Sequence, residues 1–392
     1  MDPLDWLAEA RRDRMPPVCP HFDIKFTARN VRVGKGRGVG GVREMDLIHE
    51  YAEGLERAYA ALRGKPFCRQ TPLVLEGRNK TLVEVLEISD RFPDKFDPLT
   101  TLEPHTTIPC ILLPCRTRFP TRKAELEYAV VAAAHEATHV FNFRKRHPRD
   151  PNTFGWEWFD EGTAVFMERQ LFPQYRNYLE YSLDWCDRPE RPLDDGEAWY
   201  QSQMFVRYLA ALQDEAFLSE VWMCSLPHEK PLEAIDRLLK ARGVPADQRA
   251  DLFATYCLHS YLLRDPSSYC HAPDVYERHG GRALRESFEL PTGNTIALDD
   301  ALEHLSCHYY RFYRGGRAGA IQFRWSPAHT HSADLHATAA VVDADGRRGV
   351  TEPLPLGSPA SLLAEADHVV LVVSNSARSG AALPYRIEVV AI

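Results

Sequence analysis

The chain has 392 residues, 44% of them apolar and 26% charged, with 47 Lys and Arg against 55 Asp and Glu for a formal charge of −8. At roughly 150 residues per domain that length implies two or three domains. The apolar share excludes disorder over most of the chain. The acidic balance argues against non-specific nucleic-acid binding, which draws on net positive charge.

The first residues, MDPLDWLAEARRDRMPP, read as a short polar helical extension over 1–20. They lack the basic start and apolar run of a secretory signal. No window approaches the length of a membrane span. Nine cysteines are scattered without a C-x-x-C pair. That pattern fits reduced thiols and a cytoplasmic location, and excludes a four-cysteine zinc site. Next, His21–Val33 alternates like a strand, and a Gly-rich loop follows at Gly34–Gly41. Leu47, Ile48, Tyr51, Leu55, Tyr59 and Leu62 recur at helical spacing before Gly64. Leu82–Ile88 and Ile108–Leu113 read as strands. The stretch from Arg122 to about Phe143 is rich in Ala, Glu and Leu and predicts a helix. From 157 to about 290 the chain is mostly helical, with breaks such as Arg188–Gly196. Near 305 the texture changes to strands separated by turn clusters: Leu335–Val342, His368–Val373 and Tyr385–Ile392. The expected fold class is α+β. It comprises a mixed-sheet lobe (21–145) ending in the helix just described, a helical lobe (146–300) and a β-sandwich-like tail (301–392).

Within the predicted helix, VAAAHEATHVFN spans 131–142, and His135, Glu136 and His139 form HExxH. Positions four apart share one face, so both imidazoles can bind one metal ion. Glu136 sits about a hundred degrees round the helix, within reach of a water activated by that ion. Val131, Ala132, Ala133, Ala134, Val140 and Phe141 make the helix a buried one. Polar groups buried there need partners.

Twenty-two positions beyond His139, WFDEGTAVFMER (158–169) places Glu161 before Gly162 at the start of another helix. Glu157 and Asp160 are rival carboxylates, but neither precedes the glycine. The pair of motifs resembles the gluzincin clan of zinc metallopeptidases. Trp158, Phe159, Asp160, Glu161, Gly162 and Glu168 are similar to the W-L-N-E-G-x-x-x-x-x-E pattern of aminopeptidase N and leukotriene hydrolase. The layout is closest to a bacterial group of metalloprotease-like proteins with a β-rich C-terminal tail. The resemblance implies Zn2+ held by His135, His139 and Glu161, with Glu136 as general base acting on a peptide or protein substrate. It gives Tyr200, heading a helix that continues through Met204, Phe205 and Tyr208, the role of oxyanion donor. Ser202-Gln203 stands where the clan pattern has Lys-Gly. Glu168 and Asp160 are candidates for orienting the ligand histidines.

Aminopeptidases of the clan carry a glutamate upstream of HExxH that holds the substrate amine. The corresponding stretch here, TTIPCILLPCRTRF, has none. An endopeptidase is therefore expected over an aminopeptidase, with the IPCILL strand as the rim that pairs with an extended substrate. Two other classes stay open: a zinc hydrolase of a non-peptide bond, and a non-catalytic zinc-stabilised binding protein whose β-tail contacts a partner. An intact Glu136 argues against the last, because a structural site needs no base. Gly36-x-Gly38-x-x-Gly41 matches a dinucleotide fingerprint but lacks the β-α series that should follow it, and reads as a loop near the substrate cleft. His329, His331 and His336 read as turn and strand-surface residues, and Arg144–Arg149 as a solvated helix end.

Overall fold

The computed structural model describes residues 19–26, 44–64, 80–86, 99–102, 109–114, 121–146, 155–176, 178–196, 199–275, 283–313, 320–325, 333–354, 360–363 and 368–392. The expected extension up to residue 18, the Gly-rich loop, His329 and His331 lie outside them.

A four-stranded mixed sheet opens the described chain. β1 (Phe22–Phe26) runs parallel to β2 (Thr81–Leu86), and β2 parallel to β4 (Pro109–Pro114). β3 (Leu99–Leu102) pairs antiparallel with β4, giving the order β1-β2-β4-β3. β4 was expected at a rim. It is interior instead, bonded to β2 on one side and β3 on the other, with Cys110, Ile111, Leu112 and Leu113 all buried. An unbroken apolar run without alternation is the mark of a strand covered on both faces. Among the described residues the edge strands of this sheet are β1 and β3.

Two helices build on the sheet. α1 (Glu44–Gly64) buries Leu47, Ile48, Tyr51, Leu55, Tyr59 and Leu62, the stripe expected from their spacing. α2 (Arg122–Arg146) packs on β3, β4 and α1. From Ala129 to Phe141 every residue of α2 is buried, the signature of a helix enclosed on all sides. Gly54 of α1 permits the crossing. A Cβ there would stand 2.9 Å from Val130 Cα and 3.0 Å from Ala133 Cβ.

The remaining helices are α3 (Glu157–Leu171), α4 (Tyr178–Asp187), a 3-10 turn (Trp199–Ser202), α5 (Gln203–Leu212), α6 (Glu215–Cys224), α7 (Pro231–Ala241), α8 (Ala246–Ala250) and α9 (Leu252–Tyr261). The chain divides into two compact units, one of Met1–Tyr178 with Asp214–Pro231, the other of Leu179–Gln213 with Leu232–Ile392. α3 and α6 therefore go with the first sheet, while α5, α7, α8 and α9 go with the C-terminal strands.

The second unit holds two sheets. One has the order β10-β9-β12-β7-β5, from β5 (Glu286–Glu289), β7 (Ser306–Tyr313), β9 (Leu335–Val342), β10 (Arg348–Pro353) and β12 (His368–Asn375). The other has the order β11-β8-β13-β6, from β6 (Thr295–Leu302), β8 (Ala320–Trp325), β11 (Ala360–Leu363) and β13 (Leu383–Ala391). Phe312, Leu371 and Ala337 of the first share one core with Phe323, Ile387 and Leu298 of the second, which makes a β-sandwich. α9 covers the outer face of the five-stranded sheet: Tyr309 donates to Cys257 O at 2.8 Å, and Tyr261 hydroxyl meets His368 Nε2 at 3.1 Å. That cover explains why all eight residues of β12 are buried. The architecture is the expected lobed α+β fold, with a mixed sheet, a helical middle and a β-rich tail.

Candidate metal centre

α2 and α3 place the polar residues of the first unit. In α2, His135 and His139 lie one turn apart on one face, their rings edge to face at 4.6 Å between centroids. The start of α3 is pinned by Trp156, whose Nε1 donates to Glu229 O at 2.8 Å and whose ring packs on Trp222 and Phe159. That fixes Asp160 and Glu161 in the first turn of α3, facing α2. Glu168 follows two turns after Glu161 on the same face.

The two imidazoles converge on one oxygen. Glu161 Oε2 lies 3.0 Å from His135 Nε2 and 3.5 Å from His139 Nε2. Each ring also has a carboxylate at its other nitrogen. His135 Nδ1 is 2.6 Å from Glu168 Oε1, and His139 Nδ1 is 2.9 Å from Asp160 Oδ1. Asn142, one turn beyond His139, donates to the same Asp160 oxygen at 2.8 Å. Ligand atoms of His135, Glu136 and His139 all lie within 4.8 Å of one another. Glu136 accepts a hydrogen bond of 2.6 Å at Oε2 from Thr100 of β3.

The electrostatics follow from this enclosure. His135, Glu136, His139 and Glu168 are each under a tenth exposed. Burial alone would push the His135 imidazole down, but its hydrogen bonds to Glu161 and Glu168 outweigh it and lift it to about 10. Burial likewise opposes charge on His139, and Asp160 and Glu161 overcome it, holding the ring well above the ordinary histidine range. Burial would raise Glu161, yet His139 and His135 hold it far below the usual carboxylate range. For Glu136 and Glu168 burial wins over the same cations, and both are pushed up.

Four carboxyl groups therefore surround two imidazoles in a nearly closed space. A divalent cation there would replace the two imidazolium protons charge for charge. Two imidazole nitrogens and a carboxylate oxygen form a donor set that suits zinc. Both nitrogens facing away from that point already have carboxylates beside them, which orients the rings.

Tyr200 falls in the second unit. It lies in the 3-10 turn rather than heading an α-helix directly, is 39% exposed, and stacks on Tyr181 at 4.7 Å. Two polar neighbours of the cluster carry no motif in the sequence. Thr100 sits 36 positions from Glu136, on β3. Asn142 has a legible signal in retrospect: it continues the His135, His139 face by three residues.

Residues 122–262 match a family model described as "Family of unknown function (DUF6055)"; the match covers less than half of the chain. No curated protein matches. Among solved structures, the chain is similar to PliG of Aeromonas hydrophila, a periplasmic lysozyme inhibitor of g-type lysozyme. That likeness covers 27% of this chain and 98% of PliG at 11% identity and a TM-score of 0.20. PliG of Salmonella Typhimurium matches over 27% of this chain and 98% of its own, at 12% identity and 0.17. A family GH115 4-O-methyl-alpha-glucuronidase, BtGH115A, matches over 69% of this chain and 40% of its own, at 11% identity and 0.17. Such low scores bear on neither the fold nor the activity of this chain.

Proposed function

We propose that this chain is a zinc-dependent metallopeptidase of gluzincin type, acting on peptide bonds within protein or peptide substrates. One observation carries the reading: the two Nε2 atoms of the HExxH helix converge on Glu161 Oε2, while each Nδ1 lies beside a second carboxylate. His135, His139 and Glu161 would hold the ion. When bound there, it supplies Lewis acidity toward a carbonyl oxygen and toward water. Glu136 takes a proton from the attacking water and passes it to the leaving amine. Burial pushes its carboxyl up in the metal-free protein, the direction that favours accepting a proton. Glu168 and Asp160 hold the ligand rings in place. The resemblance assigns the oxyanion-donor role to Tyr200. The missing upstream glutamate favours endopeptidase over aminopeptidase cleavage, and the edge strand β3 is suited to an extended substrate.

No helix among the described residues is long and apolar enough to cross a membrane. The seven described cysteines are thiols, which supports action in a reducing compartment such as the cytoplasm.

The test is proteolysis of a denatured-protein mixture with mass-spectrometric mapping of the cuts. Wild type should cleave, a chelator should block it, and Glu136→Gln should retain zinc while turnover falls by about 10²–10⁴-fold. A Gln variant as active as wild type removes Glu136 from the mechanism. A zinc-loaded wild type that cuts no peptide bond refutes the peptidase reading.

A further inference from the structure

We propose that Thr100, on an edge strand of the first sheet, is a positioning residue for Glu136. Its hydroxyl holds one carboxylate oxygen and leaves the other to take the proton. The inference rests on Glu136 as general base and deepens that reading.

Thr100 Oγ1 lies 2.6 Å from Glu136 Oε2 and 3.1 Å from Glu136 main-chain O. A threonine hydroxyl has one proton to give, so it serves one acceptor at a time. The carboxylate is nearer, and a bond to a charged oxygen is the stronger of the two. Glu136 is 3% exposed. Among the described residues no other donor reaches its carboxylate.

The support behind the hydroxyl is a paired strand. β3 is paired antiparallel to β4, with Thr100 opposite the fully buried Ile111. A glutamate side chain otherwise samples several rotamers. A general base has to stay within hydrogen-bond reach of its proton, and a displacement near 1 Å costs about 10²-fold in rate. Tying Oε2 to a strand fixes where Oε1 lies. The competing account is that Thr100 merely clips β3 to α2 through the main-chain oxygen. The two accounts differ in whether the side chain at 136 matters.

The test uses Thr100→Val and Thr100→Ser, each alone and combined with Glu136→Ala. Thermal unfolding of the chelator-treated full chain is the first readout. The second is kcat and KM on labelled denatured casein with zinc present. Thr100→Val should lower the melting temperature by about 2 °C or more when Glu136 is present and leave it unchanged in the Glu136→Ala background. It should keep its zinc and its KM while kcat falls about 10–100-fold, and Thr100→Ser should restore both stability and kcat. Equal destabilisation in both backgrounds overturns the proposal in favour of a main-chain clip. An unchanged kcat overturns it, as does a folded, zinc-loaded Thr100→Ser that stays as slow as Thr100→Val. Should Thr100→Val not fold, Thr100→Ala takes its place in both measurements. Absence of any cleavage by wild type counts against the peptidase reading, and the unfolding cycle still decides whether Thr100 holds the Glu136 carboxylate.

Discussion

Metal binding at the α2–α3 site should be a competition with protons. In the metal-free protein His135 is lifted from 6.5 to about 10 by Glu161 and Glu168, so it carries its proton at pH 7. A metal ion needs that nitrogen bare. Three pH units below such a value, the proton lowers apparent affinity by about 10³. His139, held high by Asp160 and Glu161, adds a second proton of the same sense. Zinc affinity should therefore rise by up to about 100-fold per pH unit from pH 6 to 8, with close to two protons released per ion. Competition against a chromophoric chelator measures the first, and proton uptake by an indicator dye in weakly buffered solution measures the second. The stability of the metal-free fold should move the other way. A histidine whose folded value is raised contributes stability that is complete below about 6.5 and lost as pH rises toward about 10. The melting-temperature gain on adding zinc should then grow with pH. Affinity that is flat across this range, with no proton release, would refute the whole account of a carboxylate-caged imidazole pair.

Three further outcomes follow from the same geometry. Glu161→Ala removes the oxygen on which both Nε2 atoms converge, so it should abolish stoichiometric zinc by elemental analysis; full retention would strike Glu161 from the ligand set. Glu168→Ala and Asp160→Ala each strip the carboxylate beside one Nδ1, so zinc affinity should weaken by about 10–100-fold without loss of the fold, read by the same chelator competition. Gly54→Ala should destabilise by about 1–3 kcal/mol in denaturant unfolding, although Ala is ordinarily the better helix former by about 1 kcal/mol, because the new methyl would meet Val130 Cα at 2.9 Å.

In α2 and α3, helical spacing alone brings polar side chains together. His135 and His139 share a face because they are four apart in a helix, and Glu161 and Glu168 because they are seven apart in another. The enclosure of α2 was legible from the same residues: Val131 to Ala134, Val140 and Phe141 leave no polar stripe, and all are buried. Tyr200 was placed by pattern alone, and it sits in a 3-10 turn of the second unit. The β-tail was legible in its strands, but not in the helix that covers it. β12 reads as an apolar run, and only the seating of α9 on its outer face accounts for the absence of alternation.

Periodicity along one element, then, was enough to place two imidazoles on one face of a buried helix and to give the α+β class, because a regular helix converts spacing directly into direction; the carboxylates of the partner helix were singled out by the resemblance of their motif. Tertiary structure decided the rest. It put Thr100 on Glu136, placed β4 inside the sheet with β1 and β3 at its edges, and grouped α5, α7, α8 and α9 with the C-terminal strands. Those outcomes depend on which strands pair, in what register, and where α2 crosses the sheet. They are set by packing between segments far apart in the chain, and no local spacing encodes them.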